Sequence, residues 1–195
     1  MGLGGIMDDA GIAPARHRLT VRDYHRMADA GIFGEDDRIE LIDGDLIDMA
    51  PIGPGHASVV NRLSQAFSLA CAGRAIVSIQ NPIALDDMSE PQPDVVILHP
   101  RDDFYATGHP GPADILLVVE VADSSLRFDR TVKLPLYARA GIGEVWIVDL
   151  GCRVLDAYRM PGVNGCGETT KHQPGEELAH VLAPEIIVRL GLMFG

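Results

Sequence analysis

Two apolar runs in the middle of the chain each carry a carboxylate where a buried strand has no place for one. Asp94 opens Val95-Val96-Ile97-Leu98, and Glu120 follows Ile115-Leu116-Leu117-Val118-Val119, with Val121 continuing the run. A third run, Val145-Trp146-Ile147-Val148, ends in Asp149. Near-continuous apolar runs of this length read as strands covered on both faces. An ionised carboxylate in such a strand is costly unless it is paired or binds a metal. Two of them on adjacent strands, with Lys133 in the polar segment that follows, point to a metal-dependent active site.

The flanking pattern supplies the rest of an α/β domain. Thr20 caps a helix running to about Ala30, with Val21, Tyr24, Met27 and Ala28 at helical spacing and Gly31 as its stop. Residues 38–49 read as two short strands around Asp43-Gly44, a hairpin signal. A second helix is expected from about His56 to Ala72, ended by Gly73, and a strand from Ala75 to Leu85. Residues 86–92 form a polar loop. The Gly- and Pro-rich stretch 99–112 has the composition of a mobile lid. Residues 124–140 hold a helix that Pro135 must either kink or begin. Glu144–Asp149 and 153–159 pair across Leu150-Gly151-Cys152. The tail shows Gly-rich turns at 162–167 and strand-like pieces near 179–182 and 185–190. This order predicts a mixed sheet with helices on both sides. Residues 1–18 read as a loose arm, and 19–195 as one domain.

Bulk properties exclude several classes. The 195 residues suffice for one domain with a sizeable core. No run reaches the roughly 18 apolar residues of a membrane span, and the N-terminus lacks the basic and apolar regions of a signal peptide. The three cysteines are widely spaced, without a CxxC pair, which leaves a reduced, cytoplasmic protein as the expectation. The net charge of −12 runs against a polyanionic partner, although bound cations or a local arginine cluster offset it. Only two lysines are present, Lys133 and Lys171, and one of them falls among the candidate catalytic groups.

A hard cation such as Mg²⁺ takes oxygen ligands and keeps several waters, so one or two carboxylates suffice. Asp94 and Glu120 meet if their strands form an antiparallel pair. A cation there would polarise a scissile phosphate and acidify a bound water, and Lys133 would orient that water or offset developing negative charge. Glu40 is available as a third carboxylate. His56 stands near a helix N-terminus, which attracts phosphate.

Pro93-Asp94, a spacer, then Glu120-Val-Ala resembles the PD-(D/E)xK nuclease superfamily, whose fold is that of type II restriction endonucleases. The stretch from about Leu19 to Leu190 more closely resembles the Uma-two family of restriction-endonuclease-like proteins. The matching pieces are Glu40-Leu-Ile-Asp-Gly-Asp, Met49-Ala-Pro followed by His56, Pro93-Asp94-Val-Val, Val119-Glu120-Val, Asp129 to Lys133 to Tyr137, and Gly141 to Glu144-Val-Trp-Ile-Val-Asp149. The resemblance implies a restriction endonuclease-like fold, a central mixed sheet flanked by helices. It implies Asp94 and Glu120 as ligands of Mg²⁺ or Mn²⁺, the Val121 carbonyl as a backbone ligand, and Glu40 as an assisting acid. It also implies a nucleic acid, DNA, as substrate and a homodimer as the working unit. The superfamily lysine falls two residues after the glutamate, where this chain has Ala122, and Lys133 resembles its migrated replacement. Where the family shows Ser-Pro-Ser, this chain has Asp123-Ser124-Ser125.

Plainer roles exist for each residue. Asp94 can cap a strand after proline, Glu120 can sit in a structural ion pair, and Lys133 can pair with Asp129 one turn earlier. Glu40 can be an exposed hairpin residue and His56 a helix-terminal one, while Tyr137 and Trp146 read as core. Three functional classes therefore stand: a metal-dependent endonuclease, a weakly active or inactive nuclease-like binding module, and a glycosidase using the Glu120 and Asp94 pair. Aromatic content of 5% argues against the last.

Overall fold

The computed structural model describes residues 15–162, 165–179, 187–189 and 194. The anticipated arm, 1–18, lies outside this set except for its last four residues. Helix α1 (Val21–Asp29) starts at Thr20, whose side chain accepts from the Asp23 amide while the Asp23 carboxylate accepts from the Thr20 amide. Strands β1 (Ile39–Ile42) and β2 (Asp45–Asp48) form their own two-stranded sheet. Asp43 (φ 48°) and Gly44 (φ 76°) close it with both central residues left-handed, the turn that Asp-Gly favours. A Cβ on Gly44 would lie 2.7 Å from Arg18 Cβ and 3.0 Å from the Leu19 carbonyl oxygen, so glycine is required for space as well as for φ.

Helix α2 (Pro54–Cys71) begins two residues earlier than the pattern predicts, because Pro54 occupies the first turn, where no amide is needed. Ala72, the residue that caps its C-terminus, is left-handed (φ 46°), just ahead of Gly73. Six strands then make the central sheet: β3 (Ile76–Ile79), β4 (Val95–Leu98), β5 (Ile115–Ala122), β6 (Glu144–Asp149), β7 (Val154–Gly162) and β8 (Gly165–His172). They are ordered as numbered, and only β5 and β6 run parallel. A parallel pair requires a crossover. Here it is helical, formed by α3 (Leu126–Phe128), a π-helical turn (Asp129–Lys133) and α4 (Leu134–Arg139). Strands β9 (Glu177–Ala179) and β10 (Ile187–Arg189) pair separately.

Alternation along the strands divides the core in two. Val95, Ile97, Leu117, Val119, Trp146 and Val148 face α2 and meet Val59, Leu63 and Phe67, with the Phe67 and Trp146 ring centroids 5.8 Å apart. Val96, Val118 and Val145 face the crossover and meet Leu136, Tyr137 and Ile142. Period two therefore places Glu120 on the crossover side, under α4. Among the described residues no helix is long and apolar enough to cross a membrane.

Several sequence expectations are corrected. The strand expected over 75–85 ends at Ile79, because Gln80 turns left-handed (φ 52°) and Pro82 cannot continue a ladder. Ile83 and Leu85 are buried nonetheless. The 99–112 stretch is not a lid over the site. It joins the far ends of β4 and β5, and turns tie it down: Arg101 grips Asp103 at 2.5 and 2.7 Å, and the Tyr105 hydroxyl donates to the His99 carbonyl at 2.9 Å. In the Gly-rich 162–167 region β7 runs to Gly162 and β8 starts at Gly165, while the expected turn between them, at 163–164, lies outside the described residues. Pro135 falls in the first turn of α4, and the π turn precedes it. There the Leu134 amide donates to the Asp129 carbonyl five residues back, while Pro135 has no amide to offer.

Gly44→Ala should lower the urea midpoint, by about 1–3 kcal/mol of stability. Gly55→Ala, which meets nothing within 4 Å in the first turn of α2, should raise it by about 0.4–1 kcal/mol. Equal shifts in the two variants would contradict the tight packing at the hairpin turn.

Candidate active site

Val95 pairs with Val119 across β4 and β5, so Asp94, one residue before, stands beside Glu120, one residue after. Both are buried. The Asp94 carboxylate is held on three sides. Its Oδ2 accepts from the Val121 amide at 2.9 Å and from His56 Nε2 at 3.1 Å, and its Oδ1 accepts from Gln80 Nε2 at 3.2 Å. The break in β3 thus has a local use: Gln80 leaves the ladder, donates its amide to the Asp94 carbonyl at 3.1 Å and turns its side chain onto the Asp94 carboxylate. Burial pushes the Asp94 carboxyl up, and the His56, Val121 and Gln80 contacts together bring it below its ordinary value. His56 is raised by its hydrogen bond to Asp94, against the effect of burial.

Lys133 is also buried, and its ammonium lies 3.1 Å from Glu40 Oε2 and 3.3 Å from Glu120 Oε1. The surface pair with Asp129 is therefore the wrong reading, and so is an exposed Glu40, which is only 2% exposed. Glu40 Oε2 also accepts from the Gln92 amide at 3.1 Å. Glu120 Oε1 accepts from the Tyr137 hydroxyl at 2.5 Å. Burial works against the charge on Lys133, but Glu120, Glu40 and Asp129 outweigh it and hold the ammonium above the usual lysine range. Glu120 is pushed up to about 8, by burial first, with Asp129 and Asp94 adding to it and Lys133 only partly offsetting it. Burial, followed by Glu120, raises the Tyr137 phenol well above its usual range, so it remains a donor. Asp129, buried and bonded to Ser125 Oγ at 2.6 Å, is raised by burial as well.

Glu40, His56, Asp94, Glu120, Val121, Asp129 and Lys133 line one cleft of about 330 Å³. The sequence-predicted residues are thus brought together. Val121 takes part through its amide, which is committed to Asp94. The third acidic strand end, Asp149, is not in the cleft lining: its Oδ1 accepts from the Cys152 amide at 2.9 Å, and its Oδ2 lies 3.8 Å from Arg130. Gln80 drew no notice in the sequence, Tyr137 read as core and Asp129 as a partner of Lys133; the four-residue spacing of 129, 133 and 137 carried the signal for the last two. Among the described residues no three His, Cys, Asp or Glu side chains converge as a metal-binding cluster.

The architecture is that of a nuclease fold. The solved structure of a putative nuclease belonging to DUF820 from Anabaena variabilis matches it with a TM-score of 0.68 at 14% identity, over 90% of this chain and 97% of that one. Residues 21–190 match the Uma2 family model, described as "Putative restriction endonuclease", and the chain belongs to that family. Among curated proteins none matches it in sequence.

With the Glu120 carboxyl raised from 4.5 to about 8, its contribution to stability is complete below 4.5 and is lost as pH rises through 8. Without divalent cations, wild type should therefore lose stability relative to Glu120→Gln across that window, as read by urea titration at each pH. Parallel pH curves would mark Glu120 as an ordinary carboxyl.

Proposed function

We propose that this chain is a divalent-cation-dependent endonuclease that hydrolyses phosphodiester bonds of DNA. The observation that carries the reading is the approach of Lys133 to Glu120, at 3.3 Å, beside Asp94. A lysine arriving from the crossover helix supplies the charge that Ala122, two residues after Glu120, does not.

The donor set suits a hard cation. Three buried carboxylates, Glu40, Glu120 and Asp129, act on the ammonium of Lys133, Asp94 stands beside Glu120 with His56 against it, and burial, with Asp129 and Asp94 adding to it, drives Glu120 toward its protonated form. Mg²⁺ or Mn²⁺ would be held by Asp94 and Glu120, with the Val121 carbonyl, leaving water and phosphate oxygens to complete its shell. Bound there, it would supply polarisation of the scissile phosphate and a more acidic water. The chain's own groups do the rest. Lys133 orients the attacking water and offsets charge developing on the phosphate. Tyr137 fixes the Glu120 carboxylate by one oxygen, Gln80 and His56 fix Asp94, and Glu40 anchors the Lys133 ammonium from the hairpin side. A homodimer belongs to the same reading, carried by the family resemblance, and so does a cytoplasmic setting, carried by the widely spaced cysteines.

The test is cleavage of supercoiled, linear and single-stranded DNA in Mg²⁺ and in Mn²⁺, with Glu120→Gln and Lys133→Met purified identically. Cation-dependent cutting by wild type should fall about 100-fold or more in each variant. Variants that cut as well as wild type would move the activity away from this cleft. No cutting of any substrate would favour the binding-module reading, which the net charge of −12 and Asp123 at the cleft support.

A further inference from the structure

The central sheet has two edges, and they differ. β8 forms one and carries Glu168 and Lys171. β3 forms the other with Ile76-Val77-Ser78-Ile79, which has no charge, no proline and no bulge in its pairing to β4. Charges, prolines and bulges are the means by which edge strands avoid pairing with another chain, and β3 has only its shortness.

The register shows which backbone groups are left over. Gln80 falls opposite Asp94 in the β3–β4 register, and its amide donates to the Asp94 carbonyl at 3.1 Å. Hydrogen-bonded pairs alternate along an antiparallel ladder. Ile76 and Ser78 therefore also turn their backbone groups to β4, and Val77 and Ile79 turn theirs away. Among the described residues nothing bonds to those outward amides and carbonyls. The charge pattern here is unusual as well. No Asp or Glu occurs from Met49 to Leu85, the stretch that holds α2 and β3, although the chain has 28 of them. α2 lies over the β3 side of the sheet. Two chains of net charge −12 can meet through this stretch without setting its residues, carboxylate against carboxylate, in opposition.

We propose that β3 is the contact between two copies of this chain, which deepens the homodimer of the reading above by naming its interface. Antiparallel pairing about a twofold axis at Ser78 matches Val77 of each copy to Ile79 of the other, and each match forms two backbone hydrogen bonds. The axis stands perpendicular to the joined sheet, so both α2 helices lie on one face. By the spacings of strands and residues, the two Asp94 positions fall roughly 20 Å apart. That is less than one turn of a DNA duplex, roughly 34 Å, so one duplex can span both clefts.

The test is the mass of the full chain in solution, by light scattering over a concentration series, and it is read without any nuclease activity. Wild type should weigh twice the chain mass at micromolar concentration. Val77→Pro removes an outward amide that the chain itself does not use, a change edge strands tolerate. It should raise the dimer dissociation constant about 10-fold or more, since one hydrogen bond is lost on each side of the axis. Ser78→Cys sets two thiols at the axis, where facing Cα atoms lie about 4.5 Å apart, within disulfide reach. Mild oxidation should join most of its chains covalently, with wild type as the control for the native cysteines. A monomeric wild type, a dissociation constant unchanged in Val77→Pro, or Ser78→Cys cross-linking no better than wild type would each overturn the inference and leave the nuclease reading to its own test.

Discussion

The ammonium of Lys133 holds three separate pieces of the fold to one point. Glu40 belongs to the β1–β2 hairpin, Glu120 to the central sheet and Lys133 to the crossover between β5 and β6. Removing Lys133 would leave Glu40 buried without its ammonium partner, a loss that typically costs about 3–5 kcal/mol. The proposed chemistry and the stability of the cleft therefore rest on the same residues.

The crossover is what makes that contact possible. Parallel pairing of β5 and β6 forces the chain out of the sheet after Ala122 and back over the face that Glu120 shares with Val118. Arg130 pins the returning helix to the sheet through Asp156, at 2.6 Å. Directly before Pro135, the π turn adds one residue to the helical circuit, so Asp129, Lys133 and Tyr137 all reach the same carboxylate neighbourhood. A π turn at such a place is common where a helix serves a site.

Much of this was legible in the sequence, for identifiable reasons. Acids inside apolar runs are rare enough to stand out, and Asp94 and Glu120 did. The Asp43-Gly44 turn has few alternatives. Lys133 stood out as a rare lysine near the two acids, and the family resemblance favoured a site role over the equally open surface pair with Asp129. Tyr137 was hidden because a buried tyrosine reads as core, and the sequence does not reveal where its hydroxyl points. Gln80 was hidden because the apolar alternation of 75–85 continues past the point where the strand leaves the sheet. Ile83 and Leu85 are buried in the opposite face of the core, so the pattern was right about burial and wrong about the ladder. β8 was missed because Gly, Cys, Thr and Lys carry little alternation, and its pairing to β7 comes from the backbone.

The hairpin and the central sheet are two separate hydrogen-bonded sheets, and Glu40 and Glu120 stand on opposite banks. Between those banks lies one lysine side chain, touching both. The span of the cleft at its chemical centre is thus gauged by a four-carbon stem and a compact point charge. The planar, longer fork of arginine would not fit that gap as a point charge does. In this molecule lysine acts as a measuring rod as well as a charge, and that second duty is a reason for its identity independent of any proton it moves.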